Sequence, residues 1–240
     1  MRALVLTVLF LFVSISSAAT INIPDDHETI QEGIDATEDG DTVLIQPGEY
    51  RENIDFDGHN IVVASQFIID SDEAIIDETI INGLGRGSVV SFENGETAEA
   101  QLIGFTIRNG STRHQQHRSG GGIHIHNADP KLSWLVVSDN RSYADGGGIY
   151  LEDSHTEISH CTIDNNLAHR LGGGICVKHS TDVMVSNCSI TENIARMSGG
   201  GFRGDDCSEL LLNKCVITGN SAWENVGGVR IVGRSNTIQR

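Results

Sequence analysis

The 240-residue sequence is short of several things, and each shortage narrows the reading. Proline occurs three times and aromatic residues make up 5%, against 27 glycines. That balance disfavours a helical bundle and suits repetitive β-structure with many tight corners. Basic residues are few, 16 Lys and Arg against 33 Asp and Glu, giving a formal charge of −17. Nucleic acid and anionic membranes would repel such a chain and are set aside as partners. An acidic polysaccharide would need Ca²⁺ or a local basic patch to approach it. Only one long apolar run exists, inside MRALVLTVLFLFVSISSAAT. With Arg2 before it and small residues leading to Ala18 and Ala19, residues 1–19 read as a secretory signal peptide. The run is short for a bilayer span, so the mature protein is expected to be secreted, extracellular or at the cell surface, and not integral to the membrane. Cysteines number five and form no C-x₂-C pair, which leaves no zinc site.

What the sequence does contain is a period. The last glycine of each GGG-like phrase is Gly122, Gly148, Gly174, Gly201 and Gly228, at intervals of 26, 26, 27 and 27. A second marker, Asn140, Asn166, Asn193 and Asn220, keeps the same beat. Between the markers hydrophobic residues alternate with period two, the mark of strands. They align in columns: Leu132, Ile158, Val185 and Leu212; Leu135, Cys161, Cys188 and Cys215; Val137, Ile163, Ile190 and Ile217. Columns repeated at one position require in-register parallel stacking, so the fold class expected is all-β, a right-handed parallel β-helix of about 26–27 residues per coil. The asparagines read as a corner ladder of stacked amides in left-handed backbone, and the glycines as positive-φ or close-approach positions. The cysteine column reads as small core residues with free thiols, because parallel Cβ vectors suit a disulfide poorly.

Upstream, QLIGFTIRNG fits the repeat with Leu102, Phe105 and Ile107 inward and Gly110 at the Asn position, leaving an insertion in STRHQQHRS. Residues 20–60 are expected to form an N-terminal cap and first coil, and 61–240 the repeats. A short helix from Asp26 or His27 to about Ala36 would place Ile30 and Ile34 on one face, covering the open sheet end. By the glycine phase Ile238 falls in the column of Leu212, so the chain is expected to continue into C-terminal coils or a further domain.

TIQEGIDATEDGDTVLIQPGEY, followed by GFTIRNG and the repeated GGGI and NN, EN and GN marks, resembles bacterial secreted right-handed β-helix proteins of the pectin-lyase-like superfamily. The resemblance covers essentially the whole mature chain and implies the fold. It hosts polysaccharide-active enzymes and non-catalytic surface proteins alike, so function must come from the site. Polygalacturonase-like members carry N-x-D, D-D, G-H-G and R-x-K in successive coils. Here Asp205–Asp206 matches the acidic pair, but G-H-G and R-x-K are missing, which argues against that hydrolase chemistry. Pectate-lyase-like members hold Ca²⁺ with carboxylates on one external sheet and use an Arg as base.

If Ile149 and Leu151 point inward, their neighbours point out. One outer column is then His124, Tyr150, Cys176, Arg203 and Arg230, and a second is His126, Glu152, Lys178 and Asp205. Asn127, Asp153, His179 and Asp206 follow at the strand ends. For a uronate lyase, Lys178 or Arg203 would be the base, and Glu152 and Asp205 would hold a metal, Ca²⁺ being the cofactor that fits. Tyr150, His124, His126, Asp206 and Arg230 are the substrate-binding candidates. The plain alternative is cross-strand charge pairing, with Lys178 lying between the two carboxylates. The insertion brings His114 and His117 toward His124 and His126, a weak signal for a metal or an anionic glycan. The sequence therefore supports a secreted β-helix domain that engages extracellular polysaccharide or a cell-surface glycan, with lyase chemistry as one form. A non-catalytic adhesion or spacer module is the rival.

Overall fold

A computed structural model describes residues 18–115, 119–233 and 237–238; most of the expected signal segment, together with His117 and Arg118, lies outside the described residues. The described chain winds into a parallel β-helix. One sheet runs through nine strands from Thr20–Ile23 to Thr237–Ile238, two further sheets have seven strands each, and a short fourth sheet has four. Successive strands pair one coil apart and in parallel, so Leu102 meets Leu132, Leu132 meets Ile158, Ile158 meets Val185 and Val185 meets Leu212. Ile238 pairs with Leu212, where the glycine phase places it.

The interior follows from the period-two pattern. Ile149, Leu151, Ile158 and Ile163 are fully buried, as are their neighbours Ile175, Val177, Val185 and Ile190 in the next coil. β-Branched side chains fill the pleated inner surface, and truncating one such isoleucine to alanine typically costs about 2–5 kcal/mol. Cys161 and Cys188 sit buried in their column and Cys215 is half-buried; all five cysteines are free thiols.

The Asn ladder forms. Asn140, Asn166 and Asn193 each donate from Nδ2 to Oδ1 of the next rung, at 3.1, 3.0 and 3.0 Å. Gly110 occupies the first rung, its N–H donating to Asn140 Oδ1 at 2.8 Å. The left-handed residue is not the ladder asparagine, as expected from the sequence, but the one before it: Asp139, Asn165, Glu192 and Gly219. That geometry turns the chain while leaving the next amide aimed along the stack. Left-handed corners recur twice more per coil, at Trp134, His160, Asn187 and Lys214, and at Asn127, Asp153, His179 and Asp206.

Helix α1 (Ile30–Asp35) covers the N-terminal end with Ile30 and Ile34 buried. It starts later than the sequence suggests because Asp26 accepts from the Asn22 backbone and side-chain amides, closing a turn. Thr29 and Glu32 then make a capping box. Two short helices, α2 (Phe67–Asp70) and α3 (Ala74–Glu78), form an excursion from the second coil.

Candidate functional site

His124, Tyr150, Cys176, Arg203 and Arg230 share one register column, but the column is not on the surface. His124 and Tyr150 are 5% exposed, Cys176 0% and Arg203 9%. The cause is the glycine corner of each coil, which folds over the outward side chain. Gly146 and Gly172 lie at φ +64 and +63, and a Cβ on them would stand 2.8 and 2.6 Å from the Cβ atoms of Tyr150 and Cys176. Strand alternation tells which way a side chain leaves the sheet, not whether a loop lies over it. His124 is held there by the Ser119 carbonyl at 3.1 Å and Glu93 at 3.3 Å, stacked on Tyr150.

The second column, His126, Glu152, Lys178 and Asp205, is half-buried, and three of its members are tied to charged or hydroxyl partners. Lys178 lies between Glu152 and Asp205 in the register, as expected, but its amine pairs with neither. Its stem turns back past the Tyr150 ring, and Nζ meets Asp145 Oδ2 at 2.7 Å. Asp145 is only 2% exposed and also accepts from the Leu171 N–H at 3.1 Å. A buried carboxylate needs such partners; Lys178 is the nearer cation, and Arg170 Nε stands 3.7 Å from Oδ1. Glu152 accepts from the Tyr150 hydroxyl at 2.9 Å and meets His179 Nδ1 at 3.3 Å. Arg203 pairs with Asp205 at 2.5 Å, while its Nε has no hydrogen-bond partner among the described residues. Asp206 is exposed at its corner, and Arg230 donates to Ser198 Oγ at 3.4 Å.

These contacts bear on the chemistry each side chain is free to do. Burial alone would pull Lys178 down, but the hydrogen bond and charge of Asp145 outweigh it and hold the amine above the usual lysine range. A base must be free to take a proton, and here Lys178 is held by Asp145 and Arg203 by Asp205. Burial pushes the Glu152 carboxyl up, yet hydrogen bonds from Tyr150 and His179 bring it below its ordinary value. Burial, then the Glu152 hydrogen bond, drive the Tyr150 phenol far above its ordinary value. Glu152 and Asp205 do not fit a Ca²⁺ centre, which takes six to eight oxygen ligands: each is bound to its own partner. Among the described residues no three His, Cys, Asp or Glu side chains gather as a metal group. The His126 imidazole meets the Asn127 amide at 3.2 Å, and the expected four-imidazole cluster includes His117, outside the described residues.

A different row is better placed for recognition. Just past the Asn ladder each coil has a two-residue strand, Arg141–Ser142, Leu167–Ala168, Ile194–Ala195 and Ser221–Ala222. The next residues, Tyr143, His169, Arg196 and Trp223, stack one above another. Tyr143 and His169 have ring centroids 4.3 Å apart, and Arg196 lies over Trp223 at 5.1 Å. Arg141 donates to His169 Nε2 from Nη2 at 2.8 Å and covers the Tyr143 ring at 4.9 Å. Burial, then Arg196 and Arg141, hold the His169 imidazole below its usual pKa, so its neutral form accepts from Arg141. Trp223 is 68% exposed. At the head of the row a cleft of about 380 Å³ is lined by Asn82, Asn109, Ser111, Asp139 and Arg141. The signal for this row was in the sequence: its members stand three residues after each ladder asparagine, at intervals of 26, 27 and 27.

The crystal structure of Escherichia coli ybhc is similar over 98% of this chain and 75% of that one, at 12% identity and a TM-score of 0.49. A pectin methylesterase in complex with hexasaccharide VII covers 82% and 78%, at 9% and 0.46. The carrot pectin methylesterase covers 92% and 90%, at 14% and 0.38. No curated protein sequence matches the chain. The family model described as right handed beta helix region matches residues 88–240, the coils that carry the ladder, the glycine corners and the stacked row, and the chain belongs to that family.

Proposed function

We propose that this β-helix domain holds an extracellular, anionic polysaccharide along the row from Arg141 to Trp223 and does not cleave it. One observation carries the reading: Arg141 and Arg196 enter no ion pair among the described residues, and they flank aromatic rings on a solvent-facing line. In a chain of net charge −17, this is the local basic patch that an acidic glycan needs. Consecutive members repeat at the strand spacing, roughly 4.8 Å, so a linear polymer can lie along them. Guanidinium groups suit its carboxylates and ring faces its sugars. The internal pairing of Lys178, Arg203, Glu152 and Asp205 favours retention over lyase chemistry. Residues 1–19, read as a signal peptide, agree with an extracellular setting.

The test is calorimetric titration with a panel of acidic and neutral polysaccharides. Acidic members should bind, with affinity falling as salt rises, and Trp223→Ala or Arg196→Ala should weaken binding about tenfold. No unsaturated uronate should appear by ultraviolet absorbance. Failure to bind across the panel would leave the coils as a spacer, and unsaturated product would restore the lyase reading.

A further inference from the structure

A second recess lies on another side of the coil, at the left-handed corner that carries Trp134 and His160. α3 packs beside this corner, seated by Thr79 and Thr106 hydroxyls that donate to the Ile75 and Ile76 carbonyls at 2.8 and 2.9 Å. Between helix and coil runs a groove of about 410 Å³, lined by Glu73, Ile76, Asp77, Trp134, His160 and Thr162 among others. That volume is in the range of small-ligand sites.

Its walls differ in kind. On one side Phe67, Trp134 and His160 form a ring row, with Phe67 to Trp134 at 5.1 Å and Trp134 to His160 at 4.6 Å and 7° between planes. Trp134 and His160 both hold φ near +55, a conformation that a bulky side chain adopts only at a cost. Gly104 takes the same place one coil earlier, where a Cβ would meet Phe67 Cβ at 3.0 Å, so the missing side chain admits the Phe67 ring onto Trp134. On the other side Glu73 and Asp77 stand four residues apart on one helix face. Neither enters an ion pair among the described residues, and no Lys or Arg lines the groove.

Two unpaired carboxylates facing an aromatic wall select a cation, which gains from both the charges and the ring electrons. The His160 imidazole and the Thr162 hydroxyl add hydrogen-bonding groups beyond the carboxylates. A lysine side chain, all methylene below its ammonium, would leave these unused; a hydroxyl-bearing ring with an amine would engage them. We propose that the groove is a binding site for an amino sugar, with its ammonium held by Glu73 and Asp77 and its ring against the Trp134–His160 wall.

The site is independent of the Arg141–Trp223 row, and the two tryptophans separate the tests. In a Trp223→Phe protein, emission reports Trp134 alone. Glucosamine oligosaccharides should shift or quench it saturably, and their N-acetylated counterparts, which carry no charge, should bind at least tenfold more weakly. Glu73→Gln with Asp77→Asn should abolish the free-amine preference while circular dichroism stays unchanged, since both side chains are exposed. Equal binding of the acetylated sugars, or no change in Trp134 emission, would overturn the proposal. Tighter binding of a lysine oligopeptide than of the amino sugar would also overturn it, in favour of a protein partner.

Discussion

Asp145 and Lys178 stand 33 residues apart, in different coils, and their side chains meet at 2.7 Å beneath a glycine corner. The Asp145 side chain is 2% exposed and that of Lys178 17%, so water screens the pair little. Asp145→Ala leaves an amine without its counter-ion and is expected to destabilise the protein by about 3 kcal/mol, measured by urea unfolding. Because the folded-state pKa of Lys178 is raised, its contribution is complete below the ordinary lysine value of about 10.4 and fades as pH climbs through the folded value. Lys178→Met should remove that alkaline loss; an unchanged alkaline profile would show the pair to be energetically idle.

Asn193 sits fully buried in the ladder. Its Oδ1 accepts from Asn166 N and Nδ2, at 2.9 and 3.0 Å, and its Nδ2 donates to Ile163 O at 2.8 Å and Asn220 Oδ1 at 3.0 Å. Asn193→Ala strands these groups, at about 1–3 kcal/mol for each left without a partner. Asn193→Asp keeps the acceptor but sets a carboxylate oxygen against the Ile163 carbonyl and Asn220 Oδ1 in a fully buried site, and should lose at least as much. The two midpoints in a denaturant titration, compared with the parent, measure the ladder.

Gly147 and Gly40 provide a matched contrast. A Cβ on Gly147 would lie 2.3 Å from the Gly173 carbonyl oxygen, backbone that cannot give way, whereas Gly40 has φ +91 with nothing within 4 Å. Gly40→Ala should cost only the left-handed penalty, about 1–2 kcal/mol. Gly147→Ala should cost about 3 kcal/mol or more and reduce folded yield. Equal thermal shifts for the two variants would contradict the close stacking of coils.

His169 predicts an acid limit. Its pKa is lowered by burial, Arg196 and Arg141, so the stability it contributes is complete above the ordinary histidine value of about 6.5. It is lost as pH falls from there through the folded value. Protonation also removes the acceptor for Arg141. Glycan binding and melting temperature should both be followed from pH 7 to 5, and His169→Asn should flatten the difference attributable to this ring.

The thiols should be inert in the folded protein. Burial pushes Cys176 far up, and the Cys161 thiol with burial pushes Cys188 up to about 12. Ellman's reagent should label the native protein slowly and reach five equivalents in denaturant, one for each cysteine. Rapid labelling of several thiols without denaturant would show an open core.

The coil, its inward columns and the Asn ladder were legible because each is a periodic mark whose physics is local. Ile158 points inward wherever a strand with alternating residues stacks on itself. Tyr150 and Arg203 misled for the converse reason: their burial depends on the path of the glycine corner, which no alternation reveals. Lys178 was placed correctly on the outer face, but its partner is a corner residue of the preceding coil, and the sequence offered only the nearer acids of its own column. The Tyr143–Trp223 row carries the same period as the ladder. Four unlike residue types at one position do not look like a column until the backbone aligns them.

The left-handed corner has one further meaning. Gly104, Trp134, His160, Asn187 and Lys214 occupy one position in five successive coils, yet they share no chemistry. The side chains of Trp134, His160, Asn187 and Lys214 leave the turn without entering the interior, so a substitution at these four alters what the surface presents and leaves the stacking register alone. The molecule thus keeps its shape and its vocabulary in separate places. New recognition can be written along such an edge one coil at a time, without revising the grammar of the core.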